Sequence, residues 1–312
     1  MSHILITGAN GFVGRALALR LLEQPGHTLT LVDRAFVDAP DFGPATLLQG
    51  AFDDPRILEA ALATPVDTVF HLASVPGGLA ERQYAPGYQV NLQATMTLAH
   101  RLAGQSRAAR PPIRLVFASS VAVYGPLTGA AIHEDQAPRP AMSYGAHKLM
   151  AEIALADLSR RGELDTVSLR LPGIVARPPG ESGHGSAFMS LVMHNMAAGL
   201  PYACPVSPAA TSWWMSLPCC VENLLHAAGM DTSTAPPART WQLPVLQLSM
   251  EALLQALERR FGADRRRLIS HLPDDAIETL FGRCPPLHTP AAIAAGFRHD
   301  IDADRLVASA LA

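Results

Sequence analysis

Cysteine is scarce in this sequence, and the spacings that bind metal ions are missing. Four cysteines occur among 312 residues, two of them adjacent, and none belongs to a Cys-x-x-Cys pair. They are Cys204, Cys219, Cys220 and Cys284. This set argues against a metal centre and against a disulfide framework. We therefore expect no bound metal, and buried thiols in a reducing cytoplasm.

The sequence also has no excess of one charge and no long apolar run. Its 24 Lys and Arg residues against 27 Asp and Glu give a net charge of -3. Without a basic field, neither nucleic acid nor an anionic membrane is indicated as a partner. No run of about 18 uncharged apolar residues predicts a membrane span. The start, MSHILITGAN, lacks the features of a signal peptide. We expect a cytoplasmic protein.

What is present favours a folded enzyme-sized chain. Hydrophobic residues make up 49% and charged residues 16%, which is enough apolar material for a substantial core. The length allows one large domain or two smaller ones.

Short apolar runs alternate with helical patterns through the first half. Strands are predicted at 3–7, 28–33, 45–50, 67–74, 113–120 and 165–172. Helices are predicted at 12–24, 54–62, 87–105 and 143–162. Nearly continuous apolar strands that alternate with helices favour a parallel sheet covered on both faces. The prediction is an α/β, doubly wound (Rossmann) fold.

The regularity falls after residue 172. Helices are predicted at 187–199 and 249–262, separated by loops. We expect a cofactor-binding domain at 1–172 and a smaller substrate-binding region at 173–312, with some of its segments returning to the main sheet.

A glycine-rich loop, in ILITGANGFVGRAL, joins the first predicted strand to the first helix. Gly8 permits a tight turn, Gly11 lets a pyrophosphate approach the backbone, and Gly14 allows the helix to lie close to the sheet. The amino end of the helix then presents N–H groups and a positive dipole to phosphates. A dinucleotide is the indicated ligand, because the glycines stand between strand and helix.

An acidic residue ends the second predicted strand. Asp33 is placed where a carboxylate holds the hydroxyls of the adenosine ribose. Its charge would repel a 2′-phosphate, so NAD is favoured over NADP. The neighbouring Arg34 could bind that phosphate, which leaves NADP open.

Further along, SYGAHK at 143–148 places a tyrosine and a lysine four positions apart. Together with the glycine loop, this motif resembles the extended branch of the short-chain dehydrogenase/reductase superfamily, which includes NAD-dependent epimerases and dehydratases. Other segments resemble that branch in the expected order, at 70–74, 90–95, 117–125 and 169–178. The resemblance covers most of the chain and implies an NAD-dependent enzyme.

The resemblance implies three catalytic residues. Tyr144 would be the base, Lys148 would lower its pKa and bind the nicotinamide ribose, and Ser120 would orient the reacting hydroxyl. Ser119 is the alternative serine. Positions i and i+4 share a helix face, so Tyr144 and Lys148 point the same way. A nearby ammonium group favours the phenolate of a tyrosine, whose ordinary pKa is about 10.

The resemblance also implies a set of cofactor contacts in the glycine loop, at strand ends and on the catalytic helix. They are Gly8, Asn10, Gly11, Phe12, Val13, Gly14, Asp33, Arg34, Leu72, Ala73, Tyr144, Lys148 and Pro172. Asn91 is expected to be structural or part of a proton relay. One departure is that Ala51 follows Gly50 where the family usually has an aspartate that contacts adenine. Asp53 is the candidate to compensate.

The substrate is narrowed by residues after the catalytic serine and in the second half. Val121 and Ala122 stand where dehydratases of this branch carry an acidic pair, which argues against dehydration. Segment 203–229 resembles the D-erythronate dehydrogenases, which oxidise a four-carbon sugar acid at C2. Arg177 is then the candidate for the substrate carboxylate and Ser74 for a hydroxyl, beside Ser120 and Tyr144.

Two other functions stay open. A nucleotide-sugar 4-epimerase that retains its NAD is the alternative enzyme, and a nucleotide-sensing regulator without catalysis is the alternative class. The resemblance further suggests a homodimer formed by paired helices, 87–105 and 143–161.

Overall fold

The chain folds around two hydrophobic cores in a computed structural model that describes residues 2–106, 112–127, 129–180 and 185–312. The first unit consists of Met1–Val123, Met142–Arg170 and Val221–Trp241. The second unit consists of Tyr124–Ala141, Leu171–Cys220 and Gln242–Ala312.

The strands are numbered in chain order. They are β1 Ser2–Thr7, β2 His27–Asp33, β3 Thr46–Gln49, β4 Thr68–His71, β5 Arg114–Ser120, β6 Ile132–His133, β7 Asp165–Leu171, β8 Gly173–Val175, β9 Tyr202–Cys204, β10 Thr211–Ser216, β11 Thr240–Gln242, β12 Leu246–Ser249, β13 Ile269–His271 and β14 Leu287–His288.

The α-helices follow the same convention. They are α1 Phe12–Leu22, α2 Pro55–Ala61, α3 Gly77–Arg82, α4 Tyr84–Tyr88, α5 Thr95–Ser106, α6 Ser143–Arg160, α7 Phe188–Ala198, α8 Leu217–Gly229, α9 Met250–Phe261, α10 Asp275–Phe281, α11 Pro290–Ala294 and α12 Ala303–Ala310. Three other helical segments complete the set: a π-helix at Gln89–Ala94 and 3-10 helices at Val121–Tyr124 and Ala263–Leu268.

The main sheet has seven strands in the order β11-β7-β5-β4-β1-β2-β3. Strand β1 pairs in parallel with both β2 and β4, and Thr7 lies opposite Val32 on one side and His71 on the other. The carboxyl ends of these three strands therefore meet at one edge of the sheet. All the strands predicted in the first half belong to this sheet, and the doubly wound α/β fold is confirmed.

Helices α5 and α6 cover part of the sheet with their apolar faces. Leu98 and Leu102 of α5 and Leu155 of α6 are fully or almost fully buried in a cluster that includes Leu5 and Phe117 of the strands. Burying side chains of this size stabilises the fold by about 1.5–3 kcal/mol each. The alternation of apolar strands and amphipathic helices thus accounts for this core.

The helix predicted over 87–105 differs from the observed structure. Helix α4 ends at Tyr88, a π-helix occupies Gln89–Ala94, and α5 begins at Thr95. The hydroxyl of Thr95 donates to the carbonyl oxygen of Asn91 at 3.1 Å. A π-turn holds one more residue than an α-turn. It directs Asn91 towards the loop after β4, where its side chain is bound.

The second unit has smaller sheets, of which the largest has the order β12-β10-β8. Its core lies among α7, α9 and α12 and includes Met193, Trp214 and Leu253, all of them fully buried. The helices predicted at 187–199 and 249–262 are confirmed as α7 and α9. Serine 249 caps α9 by accepting the N–H of Ala252 at 3.1 Å. None of the helices in the described parts of the chain combines the length and apolar composition that crossing a bilayer requires.

Candidate active site

The glycine loop between β1 and α1 is packed too tightly for larger residues. Gly8 has a φ of +72°, and a Cβ atom there would lie 2.7 Å from the backbone nitrogen of Ala73. A Cβ at Gly14 would lie 2.1 Å from the carbonyl oxygen of Gly8 and 2.9 Å from Cα of Ala9. Gly14 therefore brings α1 close to the loop that directly follows β1. Gly8 in turn fits the loop against the end of β4.

The amino end of α1 suits an anionic ligand. Gly11 is the exposed N-cap residue, and no described side chain caps it or places an acid in the first turn. The helix dipole and the N–H groups of this turn favour phosphate oxygens. At Gly11 a Cβ would meet the Gly8 carbonyl oxygen at 3.2 Å, so a larger residue would crowd the loop here too. Phe12 and Val13, also predicted to contact the cofactor, follow in the same turn.

Asp33 ends β2 and is tied to the glycine loop. Its Oδ2 atom accepts the N–H of Asn10 at 2.8 Å, and Oδ1 lies 3.5 Å from the N–H of Ala35. Each carboxylate oxygen keeps a further acceptor site, which suits the hydroxyls of a ribose. Arg34, the residue that left NADP open, is exposed.

A second set of hydrogen bonds, which we call the Asn10 clasp, holds the segment after β2. Asn10 Nδ2 donates to the carbonyl oxygens of Ala35 at 2.8 Å and Val37 at 3.2 Å. Arg15 Nε donates to Asn10 Oδ1 at 2.8 Å, and its Nη2 donates to the Val37 carbonyl at 2.7 Å. Sequence reasoning missed Arg15, although its place directly after Gly14 was a signal. The clasp fixes the backbone that follows Asp33.

The loop after β4 carries Leu72, Ala73 and Ser74, which the sequence assigned to cofactor and substrate. The backbone N–H of Leu72 donates to Thr7 at 3.0 Å and so extends the pairing with β1. Ser74 donates its hydroxyl to Oδ1 of Asn91 at 3.0 Å. Asn91, which is fully buried, therefore positions Ser74, and the structural role expected for it is what the geometry supports.

Tyr144 and Lys148 lie one turn apart near the start of α6. Lys148 Nζ is 5.6 Å from the centre of the Tyr144 ring and 4.6 Å from that of Phe117. The ammonium group donates to the carbonyl oxygen of Ala118 at 2.7 Å. The Tyr144 ring packs beside Gly77, where an added Cβ would be 3.5 Å from the ring. The structure thus brings the predicted pair together at the end of β5.

Lys148 is the sole lysine of the chain, although arginine is abundant. Its side chain is 1% exposed, and burial lowers the pKa of its amine to about 7, while Glu152 acts in the opposite direction. A buried amine at this position is costly unless it is held by polar groups. Its charge is therefore sensitive to its neighbours at neutral pH.

The two adjacent serines of β5 have different surroundings. Ser119 is 2% exposed and donates its hydroxyl to Glu152, whose carboxylate also accepts Nε and Nη2 of Arg170 at 3.1 and 2.8 Å. Ser120 is half-buried, and its Oγ accepts the N–H of Ala122 at 3.1 Å. Because strand side chains alternate in direction, only one serine can face the cleft. The hydroxyl of Ser120 is the one left to meet a ligand.

His71 is buried in the sheet rather than exposed in a cleft. Its Nδ1 is 2.6 Å from the hydroxyl of Thr7, and its Nε2 is 2.8 Å from the hydroxyl of Thr95. Burial, followed by the charge of Lys148, lowers its pKa to about 3. A neutral imidazole that joins β1 to α5 is a structural element.

His147 belongs to an aromatic cluster on the side of α6. Its ring centre lies 5.6 Å from that of Tyr84 and 5.5 Å from that of Tyr88. Burial lowers its pKa. His184 lies outside the described residues. Asp53, the candidate for adenine, accepts the side-chain amide of Gln89 at 3.0 Å.

The remaining predicted residues belong to the second unit. Pro172 is buried between β7 and β8. Arg177 donates its backbone N–H to Ser190 Oγ at 2.9 Å, and its carbonyl oxygen accepts His194 Nε2 at 2.8 Å. Two residues of α7 thus hold the backbone of Arg177. Two tryptophans of β10, Trp213 and Trp214, are 3% and 0% exposed and belong to the core.

Comparison with known proteins places this geometry in a family. The model of the NAD dependent epimerase/dehydratase family matches residues 4–213. A D-erythronate dehydrogenase from Cupriavidus necator is 32% identical over 317 residues, which cover 98% of this chain and 96% of that one. The D-erythronate dehydrogenase from Haemophilus influenzae is 30% identical over 305 residues and covers 95% of each chain.

A solved structure supports the same conclusion. The crystal structure of a nucleoside-diphosphate-sugar epimerase from Agrobacterium tumefaciens matches with a TM-score of 0.90 and 29% identity, over 98% of this chain and 92% of that one. The glycine loop, Asp33 and the end of β4 fit the NAD that this family uses. The chain therefore belongs to the NAD-dependent epimerase/dehydratase family, the extended short-chain dehydrogenases/reductases, and is an NAD-dependent oxidoreductase.

Proposed function

We propose that the protein oxidises a small sugar acid at C2 with NAD as acceptor, and that the substrate is D-erythronate, which becomes 2-dehydro-D-erythronate. The observation that carries this proposal is the pairing of Tyr144 with the sole lysine, Lys148, which is bonded to Ala118 of β5, the strand that ends at Ser120. Two relatives of nearly equal length that are named D-erythronate dehydrogenases support the substrate.

In this proposal the first unit binds the cofactor. The glycine loop and the amino end of α1 hold the diphosphate, Asp33 the adenosine ribose, and Ala73 lines the cleft. When bound, NAD accepts the hydride that leaves C2 of the substrate. Pro172, in the segment after β7, is proposed to lie beside the nicotinamide. The second unit supplies the remaining substrate contacts.

Proton removal is assigned to Tyr144. A phenol with an ordinary pKa of about 10 is about a thousandth ionised at pH 7. Lowering that pKa by two to three units takes roughly 3–4 kcal/mol of differential stabilisation, which a charge in a dry site can supply. The ammonium group of Lys148 lies 5.6 Å from the centre of the Tyr144 ring and can supply that charge. Tyr144 takes the hydroxyl proton as hydride leaves carbon.

Ser120, Ser74 and Arg177 are proposed to hold the substrate. Ser120 is half-buried at the end of β5, which suits a hydroxyl that orients the reacting oxygen. Ser74 is already positioned by Asn91 and would bind another hydroxyl. A guanidinium can pair bidentately with a carboxylate, and Ser190 and His194 hold the backbone of Arg177 in place for that role.

A screen of four- and five-carbon aldonates with NAD and NADP tests the substrate. We expect D-erythronate with NAD to give the largest kcat/KM, followed as the absorbance of released NADH. An enzyme that keeps its NAD and interconverts UDP-sugars without net reduction would be the 4-epimerase instead. If no sugar acid and no nucleotide sugar is turned over, the proposed activity is wrong, and the alternative of a nucleotide-sensing regulator gains.

Replacement of Tyr144 by Phe tests the mechanism with the same assay. Removing the phenol oxygen leaves the ring beside Gly77 but no base, so kcat should fall by at least about a hundredfold. Tyr84→Phe is the matched control, because Tyr84 is 58% exposed and belongs to the aromatic cluster rather than to the catalytic pair. Oxidation at full speed in Tyr144→Phe would refute the assignment.

The working form is proposed to be a cytoplasmic homodimer. Helix α6 exposes Met150 and Ile153, which are 43% and 64% accessible, and Tyr84 of α4 is 58% exposed. In a dimer formed by the helices at 87–105 and 143–161, the second copy would cover these apolar side chains. Sedimentation velocity should give twice the mass of 33.2 kDa; a single species at that mass would contradict the dimer.

A further inference from the structure

We propose that Glu152 and Arg170 are positioning residues that set the charge of Lys148 in opposite senses, Glu152 as its counter-ion and Arg170 as the competitor for that carboxylate. The effect of this pair on catalysis rests on the proposed function, in which Tyr144 is the base.

Glu152 lies one helical turn beyond Lys148 on α6 and is 3% exposed. Its carboxylate receives a hydrogen bond from Ser119 of β5 and two from Arg170 of β7, which is 7% exposed. The adjacent residue of β5, Ala118, accepts the hydrogen bond from Lys148. A strand and a helix are thus fastened together at two successive residues, and Arg170 fastens the carboxylate to a third element.

This arrangement places two buried cations near one buried carboxylate: Arg170 binds it directly, and Lys148 lies one helical turn away on α6. Both cations are shielded from water, so the charge between them is weakly screened. A buried ion that loses its partner is strongly unfavourable, which gives each charge of the set a direct effect on the others. Without Glu152, two cations would remain in the same buried region, and the one that can lose its proton is Lys148.

The other groups around Lys148 do not serve as counter-ions. His71 of β4 is neutral, because burial and then the charge of Lys148 lower its pKa to about 3. Tyr144 on the same helix is the proposed base itself. Glu81 of α3 accepts the N–H of Ser143 at 2.8 Å and acts on His147. Among the described residues packed around this amine, Glu152 is the carboxylate that raises its pKa.

The charge of Lys148 matters because its pKa, lowered to about 7 by burial, lies close to neutral pH. At pH 7 the amine is then about half charged, so raising its pKa by one unit makes it mostly charged and lowering its pKa by one unit makes it mostly neutral. Since the proposed acidity of Tyr144 depends on that charge, the buried pair tunes the base through Lys148 without touching the substrate.

Because the chain has one lysine, its ionisation can be followed directly. Protein grown with ¹³C-lysine gives one ε-carbon signal, whose shift against pH reports the pKa of Lys148 whether or not the enzyme turns over. We expect Glu152→Gln to lower that pKa by about one unit or more, a tenfold change in proton affinity, and Arg170→Met to raise it. In the activity assay the alkaline limb of the pH profile should move in the same two directions.

If Glu152 and Arg170 had only a structural role, the lysine titrations would give a different result. Both substitutions would then loosen the same contact, and the lysine signal would be unchanged or would shift in one common direction; either result overturns the proposal. Asp157→Asn is the matched control on α6, because Asp157 is 52% exposed in its pairing with Arg160 and should leave the signal in place.

Each single variant leaves an unpaired buried charge, which is strongly destabilising and can unfold a protein of ordinary stability. The double variant Glu152→Gln/Arg170→Met removes both charges together and should titrate close to the wild type. Ser119→Ala offers a milder test, in which the carboxylate keeps Arg170 but loses one donor and the lysine pKa rises. If the lysine of the double variant has the same low pKa as in Glu152→Gln, the proposal is overturned. Opposite shifts in a protein inactive on every aldonate would leave it standing and refute only the substrate.

Discussion

The side-chain amide of Asn91 satisfies both backbone groups of Val75. Its Oδ1 accepts the Val75 N–H at 2.7 Å, and its Nδ2 donates to the Val75 carbonyl oxygen at 3.1 Å. One side chain therefore holds the turn through which the chain leaves β4. Gly77, two residues on, is the neighbour of the Tyr144 ring. The π-helix that presents Asn91 is thus linked to the placement of the proposed base.

Replacing Asn91 by Ala should lower both stability and activity. Val75 is 9% exposed, so its N–H would be left buried without a partner and its carbonyl would keep only the 3.4 Å hydrogen bond from the Ser74 hydroxyl, at about 1–3 kcal/mol for an unpaired group. Urea denaturation measures this loss, and kcat measures the effect on Tyr144. Gln93→Ala, an exposed residue of the same π-helix, is the control and should stay within about 0.5 kcal/mol. Equal stability of the two variants would contradict the role of Asn91.

The adjacent serines of β5 should respond differently to alanine. Ser120→Ala removes the proposed contact with the reacting oxygen, so kcat should fall about 10- to 100-fold at unchanged stability. Ser119→Ala removes a donor from buried Glu152, so the free energy of unfolding should fall by about 1–3 kcal/mol with a smaller effect on kcat. Steady-state kinetics and urea denaturation on both variants decide. The reverse pattern would make Ser119 the catalytic serine.

His71 should make the fold sensitive to acid. Its pKa is about 3 in the folded chain, whereas an ordinary histidine titrates near 6.5. Between these values the unfolded chain binds a proton that the folded chain does not, so stability falls as pH drops from about 6.5 towards 3. His71→Asn lacks this loss, and subtracting its stability curve from that of the wild type cancels other titrating groups. A difference that does not depend on pH below 6.5 would contradict the prediction.

The charge of Asp33 should decide between NAD and NADP. Asp33→Asn keeps an oxygen for the Asn10 N–H but removes the repulsion of a 2′-phosphate. We expect KM for NAD to rise and the NAD-to-NADP ratio of kcat/KM to fall by about tenfold or more, equivalent to ~1.4 kcal/mol. If exposed Arg34 then binds the phosphate, adding Arg34→Ala should abolish the gain with NADP. An unchanged ratio in Asp33→Asn would show that selectivity resides elsewhere.

The strands and the glycine loop could be predicted because their signals are local. A strand covered on both faces is apolar throughout, as in β1 and β5, whose interiors are buried without interruption. The predicted strand 67–74 nevertheless ends at His71. Beyond it, the close approach of Gly8 to Ala73 and the hold of Asn91 on Val75 take the backbone out of the sheet. Apolar character alone does not show such a turn.

The environment of Lys148 was not predictable for the opposite reason. Ser119, Glu152 and Arg170 come from β5, α6 and β7, and no local spacing relates them. Apolar periodicity likewise continues across the π-helix, so an extra residue in one turn leaves no mark on the pattern. The choice between Ser119 and Ser120 needed the directions of side chains on a strand. Contacts between distant elements had to be seen in three dimensions.

A chain with one lysine also has one amine-bearing side chain. Electrophiles that condense with primary amines, such as aldehydes and activated esters, can modify only Lys148 or the terminal amine. Since the Lys148 side chain is 1% exposed and bonded to Ala118, the modification requires a local opening of the cleft. The rate at which such a reagent inactivates the protein therefore measures how often the site around Lys148 opens. A ligand that keeps the site closed should protect Lys148 from modification.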